Sequence, residues 1–224
     1  ALSRQATEQQ PARLIAWPEL AIQGDLFQDL RLVSEVSKIA IDTGTYFVIG
    51  TSQRSKASQT PPGGRKKLNS AYVISPQGAV VGRYHKLRLF PFGEYVPYRE
   101  FVPWPAQYRA FDDTVPGTEQ TLLEIEGIRF ASLICWEPIF PDFVRTFVRG
   151  GARFILNISD EAWFGDTQAP YQMLSMNVFR AVENGIAIAR AANTGLSVFI
   201  DPHGRITGRV ATNGKELFVE GFLT

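Results

Sequence analysis

The sequence predicts an α/β fold of four layers, an α-β-β-α sandwich, and two observations lead to this prediction. Nearly continuous apolar strands alternate with segments of helical periodicity, which is typical of sheets that are covered by helices on one face. Residues 74–83 and 200–209 share Ile, Pro, Gly and a final Gly-Arg at matching places, so each half of the chain carries a similar hairpin. A repeated hairpin indicates two similar sheets. Because no segment reads as a linker, we expect one domain over residues 1–224.

The first half of the chain should contain one helix and four strands. Residues 12–20 form a buried strand that runs into a turn at Pro18, and residues 45–52 form a second strand rich in β-branched and aromatic side chains. Residues 25–44 have apolar positions at helical spacing and end in a glycine, which is a helix stop signal. Residues 69–86 read as a hairpin whose turn is Ser-Pro-Gln-Gly.

The second half continues the alternation of strands and helices. Apolar runs bounded by turn residues predict the strands, and helical spacing predicts the helices between them. The expected order is strand 128–135, helix 139–148, strand 152–159, helix 168–185, strand 186–193 and hairpin 196–210.

Composition excludes several classes of protein. The net charge is +1 and the only basic run lies in a Pro/Gly-rich loop, so we expect no nucleic-acid partner. One cysteine excludes an internal disulfide framework. With only two histidines in addition, we expect no zinc site. No apolar stretch approaches the ~20 residues of a membrane helix, so the chain is expected to be soluble, or the soluble part of something larger.

Reactive side chains follow three of the predicted strands. Glu19 comes just after the first strand, and Lys86 ends the first hairpin, with Glu94 eight residues later. Cys135, the only cysteine, ends another strand just before a helix. Open α/β sheets place their sites at such strand ends, so we expect these groups to converge.

The residue types suit nucleophilic catalysis by a thiol. Glu19 can take the thiol proton of Cys135 and later return it to a leaving group. Positive charge from Lys86 and from the start of the following helix would favour the thiolate. Lys86 and the backbone N–H of Trp136 could together hold the negative oxygen of a tetrahedral intermediate.

Each of these residues also has a purely structural interpretation. Cys135 could be a small core residue, Glu19 a turn residue or helix cap, and Lys86 an exposed strand end. Glu94 is flanked by aromatic residues and prolines, where an unpaired buried carboxylate would be costly. His85 and His203 are expected to be structural.

The phrases "WPE", "YHKLRLFPFGEYVP" and "ICWE" resemble the Glu-Lys-Cys motifs of the nitrilase, or carbon–nitrogen hydrolase, superfamily. Four longer phrases between residues 85 and 204 resemble more narrowly the nitrilase-like domain of the apolipoprotein N-acyltransferases. The resemblance implies a four-layer sandwich and no metal or organic cofactor. It implies that Glu19 is the general base, Lys86 the oxyanion stabiliser and Cys135 the nucleophile. Glu94 matches a second essential glutamate, and Glu137 an acidic residue beside the nucleophile.

The resemblance also implies partners and a location. Such enzymes take an acyl chain from a phospholipid onto the cysteine, as a thioester, and pass it to the α-amino group of a diacylglyceryl cysteine at a lipoprotein's N-terminus. They work at the bacterial inner membrane, with this domain on the periplasmic side. Family members carry membrane helices and usually open with an additional strand, both absent here, so the chain is expected to be a fragment of a larger membrane protein.

Several features leave alternatives open. An aromatic loop offers a lipid-facing surface at Phe90, Phe92, Phe101 and Trp104, although these side chains could instead pack in the core. Asp160-Glu161 stands where the family more often has Asn-Asp, and Trp136 where it commonly has Tyr. A soluble amidase or nitrilase would use the same triad, with water resolving the thioester. A non-catalytic interaction fold is the third alternative, which the intact triad disfavours.

Overall fold

The structure is a computed structural model that describes residues 2–9, 11–54, 66–99, 101–103, 105 and 114–210. Within these residues the chain forms two β-sheets and four α-helices. The strands are β1 Leu14–Ala16, β2 Ile22–Asp25, β3 Tyr46–Arg54, β4 Lys67–Ile74, β5 Val80–His85, β6 Leu123–Ile125, β7 Ile128–Ile134, β8 Phe154–Ser159, β9 Ala187–Ala192, β10 Val198–Ile200 and β11 Ile206–Arg209. The helices are α1 Leu2–Gln9, α2 Leu30–Thr43, α3 Pro141–Arg149 and α4 Ala169–Asn184.

The two sheets are mixed, and each ends in one of the predicted hairpins. The first has the order β1-β3-β4-β5, with β2 also paired to β3, and β1 runs parallel to β3. The second has the order β11-β10-β9-β8-β7-β6, with β7, β8 and β9 parallel. The antiparallel hairpins β4–β5 and β10–β11 occupy matching edge positions, so the sequence repeat corresponds to a repeat in structure.

Alternating side chains on the first sheet separate two cores. Phe47 and Ile49 on β3 pack with α2 residues such as Val36 in an outer core. Val48 between them, together with Tyr84 on β5, points into a larger core shared with the second sheet. That core also contains buried residues of α3 and α4. The predicted four-layer α/β fold is therefore confirmed.

Helix α2 begins later than the sequence predicted. The expected helix started at residue 25, but Asp25 ends β2 and its carboxylate accepts the N–H of Phe27 in a short 3-10 turn. Asp29 then caps α2 by accepting the N–H groups of Arg31 and Leu32. Two consecutive aspartate caps thus delay the helix, whereas its predicted stop is correct, because Gly44 adopts the left-handed conformation.

The segment after Cys135 also differs from the prediction. The expected helix from residue 139 begins at Pro141, and a 3-10 turn, Glu137–Ile139, precedes it. Helix α1 and the short strands β2 and β6 were not predicted either; strands of three or four residues carry too little alternation to be recognised. The other predicted strands and helices are present within about two residues of their expected ends, except that β1 stops at Ala16 and not at residue 20.

Candidate active site

Cys135 sits on a sharp turn directly after β7. Its backbone is left-handed, with φ 58°, and its N–H donates to the Ile158 carbonyl at 2.7 Å. A non-glycine residue in this region costs about 1–3 kcal/mol and persists only where its surroundings enforce it. The side chain is nearly enclosed and borders a partly open cavity of about 230 Å³. The turn thus presents the thiol to that cavity.

Glu19 reaches the same cavity from the turn that follows β1. Its carboxylate oxygen Oε1 accepts hydrogen bonds from Lys86 Nζ at 3.2 Å and from Asn69 Nδ2 at 2.6 Å. The other oxygen, Oε2, accepts the backbone N–H of Asp160 at 2.8 Å. Glu19 is only 4% exposed, so these three donors determine its position. The Asp160 contact uses the main chain, so the unusual side chain at that position does not alter it.

A close approach of two main chains places Glu19. A Cβ atom on Gly50 of β3 would lie 2.2 Å from the Pro18 carbonyl oxygen and 2.6 Å from the Glu19 Cα. Only glycine at position 50 therefore permits the turn to cross β3 where it does.

Replacing Gly50 with alanine should displace the Glu19 turn. We expect a loss of roughly 1–3 kcal/mol in unfolding free energy, because backbone must move to admit the methyl group. We also expect a lower turnover number with little change in KM. Gly82→Ala is the matched control, since its added Cβ would meet only side-chain carbons, at 3.1 Å from Leu123. Urea unfolding and steady-state kinetics measure both effects, and a Gly50→Ala protein as active as Gly82→Ala would contradict this prediction.

Lys86 is a fully buried cation between two carboxylates. Its Nζ lies 3.2 Å from Glu19 Oε1 and 2.9 Å from Glu94 Oε2, and its side chain is 1% exposed. Burial by itself would lower the pKa of Lys86, but the negative charges of Glu19 and Glu94 oppose it and hold the pKa above its ordinary value. Lys86 is therefore a fixed positive charge and cannot serve as the base.

Glu94 is paired with Lys86, so its carboxylate is not left unpaired among the surrounding aromatic residues and prolines. Besides Lys86, its carboxylate accepts Asn69 Nδ2 at 2.9 Å and the backbone N–H of Phe90 at 2.8 Å. Asn69 thus bridges the two glutamates with a single amide group. The arrangement fixes both carboxylates around one ammonium group.

The thiol of Cys135 is neutral at rest. Burial raises its pKa far above the ordinary value, the Glu19 charge adds to that effect, and Lys86 only partly opposes it. Lys86 does lower the pKa of this thiol, as the sequence predicted, but burial outweighs it, and α3 starts six residues after the cysteine. A reaction at this sulfur would therefore need a base, and Glu19 lines the same cavity.

Glu137 connects the two sheets beneath the cavity. One carboxylate oxygen accepts the Tyr84 hydroxyl at 2.8 Å and the N–H groups of Leu87 and Arg88 at 2.7 and 3.1 Å. The other accepts the Ile134 N–H at 2.8 Å. Burial raises the pKa of Glu137 to about 7. This carboxylate ties the residues just after Lys86 to the residue just before Cys135.

The predicted aromatic loop divides into two parts. Phe90 lines the cavity and meets the rings of Trp136 and Phe164 edge-on, with centroids 4.9 and 6.2 Å apart. Phe92 and Phe101 are surface residues, 51% and 84% exposed. Trp104 lies outside the described residues. The loop is thus partly wall of the cavity and partly apolar surface.

Sequence reasoning missed four buried polar residues around the site. Asn69 bridges the glutamates, Tyr84 supports Glu137, and Asn157 and Arg190 bond to one another behind Cys135. A signal was present for the last two, since each interrupts a strand that is otherwise apolar. A polar side chain in such a buried strand needs a hydrogen-bond partner, so each of these two residues could have been predicted to belong to a buried polar network.

The chain belongs to the carbon–nitrogen hydrolase family, whose model it matches over residues 1–220. Among curated proteins it is similar to the apolipoprotein N-acyltransferase of Geobacter metallireducens, with 41% identity over 92% of this chain and 39% of that protein. It is also similar to the apolipoprotein N-acyltransferase of Agrobacterium fabrum, with 36% identity over 86% of this chain and 36% of that protein. The resemblance deduced from the motifs is confirmed.

Solved structures support the same family. A mutant of the Nesterenkonia AN1 amidase from the nitrilase superfamily superposes with a TM-score of 0.66 and 25% identity, covering 93% of this chain and 76% of that one. The chain spans about two fifths of the length of the curated relatives it matches. None of the helices that the structure describes is long and apolar enough to span a bilayer.

Proposed function

We propose that this chain is the catalytic domain of an N-acyltransferase that moves an acyl chain from a phospholipid to the N-terminal S-diacylglyceryl cysteine of lipoproteins. The observation that carries the proposal is that Glu19, Lys86, Glu94 and Cys135 line one cavity. Similarity to two proteins named apolipoprotein N-acyltransferase gives the substrate class. No metal or organic cofactor takes part in the proposed chemistry.

In the first half-reaction, Glu19 takes the thiol proton as the Cys135 sulfur adds to the ester carbonyl of the phospholipid. The carbonyl oxygen becomes negative, and the Lys86 ammonium group and the Trp136 N–H stabilise it. Collapse of this intermediate breaks the carbon–oxygen bond. Glu19 gives its proton to the departing alkoxide, so the products are a lysophospholipid and an acyl thioester on Cys135.

In the second half-reaction, the α-amino group of the lipoprotein adds to the thioester carbonyl. Glu19 removes the proton from the attacking nitrogen, and the same two donors hold the oxyanion. The carbon–sulfur bond then breaks, the sulfur recovers a proton from Glu19, and an amide remains on the lipoprotein. Glu94 keeps Lys86 in place through the 2.9 Å ion pair, and Glu137 keeps Lys86 and Cys135 in register.

A carbon–nitrogen hydrolase is the second candidate, favoured by the superposition on an amidase. The acyl-enzyme would be the same, but water would resolve it and ammonia or an amine would leave. The two candidates therefore differ only in what attacks the thioester and in what delivers the acyl group.

Mass spectrometry of the intact protein separates the two candidates. The protein is given a phospholipid with an isotope-labelled acyl chain, then a diacylglyceryl-cysteine peptide. We expect the labelled acyl mass on the peptide that contains Cys135, followed by its transfer to the amine, and neither with Cys135→Ser. Ammonia release from simple amides without acylation of the peptide would instead identify a hydrolase.

The exposed part of the aromatic loop is proposed to face the bilayer. Phe92, Tyr98 and Phe101 are exposed large apolar side chains within ten residues of one another. Trp163, which lines the cavity, is also largely exposed. A lipid that passes from the membrane to the cavity would contact these apolar side chains. Its acyl chain would then be less exposed to water on the way.

Phe101→Ser should weaken binding of the protein to phospholipid vesicles and leave its stability unchanged. Loss of one inserted aromatic side chain removes about 1.5–3 kcal/mol of apolar transfer energy, or roughly a tenfold to hundredfold loss in affinity. Leu30→Ser is the control, since Leu30 is 80% exposed but begins α2 on the outer face of the first sheet. Equal weakening by both changes, measured by vesicle sedimentation, would show that the loop has no special role.

The proposed location follows from the same relationship. Acceptor lipoproteins and phospholipid donors are membrane-anchored, so we propose that the domain acts at the bacterial inner membrane on its periplasmic side. Protease accessibility in spheroplasts would test this placement, because only a periplasmic domain is cleaved before lysis.

A further inference from the structure

A network of buried polar side chains lies directly behind the Cys135 turn. Asn157 on β8 donates from Nδ2 to two carbonyl oxygens, those of Leu133 and Cys135, each at 3.1 Å. Its own oxygen, Oδ1, accepts Arg190 Nε and Asn177 Nδ2, each at 3.2 Å. All of these side chains are buried.

The direction of the Asn157 amide is determined by its neighbours. Two donors point at one end of the amide, so that end must be the oxygen, and the NH₂ group is left to face the two carbonyls. Arg190 is itself fixed, because it pairs with Glu161 and donates to the Leu196 carbonyl at 2.6 Å. An arginine held by a buried carboxylate therefore sets the orientation of the amide.

The bond to the Cys135 carbonyl has a consequence for the next N–H group. The peptide between Cys135 and Trp136 is planar and trans, so its C=O and N–H point in opposite directions. Because the Cys135 carbonyl points towards Asn157, the Trp136 N–H points away from Asn157. Among the residues that the structure describes, no protein group accepts a hydrogen bond from this N–H.

We infer that Asn157, oriented by Arg190 and Asn177, is a positioning residue that aims the Trp136 N–H at the oxyanion formed on Cys135. It does not touch the substrate; it acts through the peptide group it holds. This role rests on the proposed use of Cys135 as nucleophile. It also explains how a left-handed cysteine is kept in place, since the Leu133 and Cys135 carbonyls are held by the same amide group.

Asn157→Asp tests the inference in the intact protein. Aspartate keeps the shape and still accepts the Arg190 and Asn177 hydrogen bonds, but it offers no donor to the carbonyls. Two probes of Cys135 then separate positioning from reactivity. Butanal forms a hemithioacetal: a sulfur–carbon bond replaces the carbonyl π bond, and the thiol proton ends on the oxygen that occupies the oxyanion position. Iodoacetamide alkylates the sulfur: a sulfur–carbon bond forms, iodide leaves, the thiol proton passes to Glu19, and no oxyanion forms.

Butanal bound to Cys135 protects the sulfur from iodoacetamide. We expect this protection to be about tenfold weaker in Asn157→Asp than in the wild type, once each protein is normalised to its alkylation rate without butanal. Thioester formation from a phospholipid should fall about 10²-fold in kcat, with KM unchanged. Ile155→Val is the control, because Ile155 is a fully buried core residue on the same strand and its side chain has no polar atom for the peptide. If Asn157→Asp does not fold, Asn177→Leu takes its place. It removes one of the two donors to the Asn157 oxygen, so butanal protection should weaken about threefold.

A variant whose butanal protection and thioester formation both match those of Ile155→Val would overturn the inference. So would equal losses in alkylation and butanal protection, because these would show a collapsed turn. A wild-type protein that binds butanal but forms no thioester from phospholipid would contradict the proposed acyl transfer instead, so the two failures are distinguishable.

Discussion

Lys86→Met should abolish acyl transfer and destabilise the domain. The ammonium group is the only cation that the structure places between Glu19 and Glu94, and it is 1% exposed. Removing one partner of a buried ion pair typically costs about 3–5 kcal/mol, because a charge is left without compensation. Loss of an oxyanion donor should lower kcat by at least about 10²–10³-fold. Urea unfolding and single-turnover acylation measure the two losses separately.

A double variant distinguishes the structural from the catalytic part. Lys86→Met combined with Glu94→Gln removes one of the orphaned carboxylates, so it should recover part of the lost stability. Activity should stay absent, because the positive charge at the oxyanion is still missing. Recovery of acylation in the double variant would mean that Lys86 serves only to neutralise the glutamates.

Glu137→Gln should misplace the nucleophile. The carboxylate accepts four hydrogen bonds, three on one oxygen and one on the other. A glutamine retains only one accepting oxygen, so its NH₂ group must face either the Ile134 N–H or the three other donors. An unsatisfied buried donor costs about 1–3 kcal/mol, and a shift of about 1 Å between Lys86 and Cys135 could lower kcat about 10²-fold.

The raised pKa of Glu137 also predicts how the stability of the protein changes with pH. The folded protein holds the Glu137 proton up to about pH 7, whereas the unfolded chain releases it near the ordinary value of 4.5. The folded state thus binds the extra proton between these values, and the contribution of Glu137 to stability is lost as the pH rises towards 7. From pH 5 to pH 8 the unfolding free energy of the wild type should fall by about 2–3 kcal/mol relative to that of Glu137→Gln.

Denaturant titrations at several pH values provide the measurement. Tyr84→Phe is the control, since it removes one hydroxyl donor and leaves the carboxylate able to titrate. A difference in unfolding free energy between wild type and Glu137→Gln that stays constant from pH 5 to pH 8 would show that Glu137 is already ionised at the acidic end, and the argument from burial would then be wrong.

Much of the fold could be predicted because its signals are local. The two hairpins follow from Pro-Gly turns between β-branched residues, and the end of α2 follows from Gly44. The motifs around Glu19, Lys86 and Cys135 pointed to the right family for the same reason, since each is a short run of unusual residues. The start of α2 was missed because Asp25 and Asp29 are both suitable caps, and only packing decides between them.

The sequence by itself determined the order of the elements, the pairing of the hairpins and the chemical types available to the site, because these depend on residues close together in the chain. Only the tertiary structure decided that Glu19 and Lys86, 67 residues apart, share a hydrogen bond, and that burial keeps the Cys135 thiol protonated. It also decided that Asn157 and Arg190 support the Cys135 turn. Burial and long-range contact set these energies, and neither is a property of any short segment.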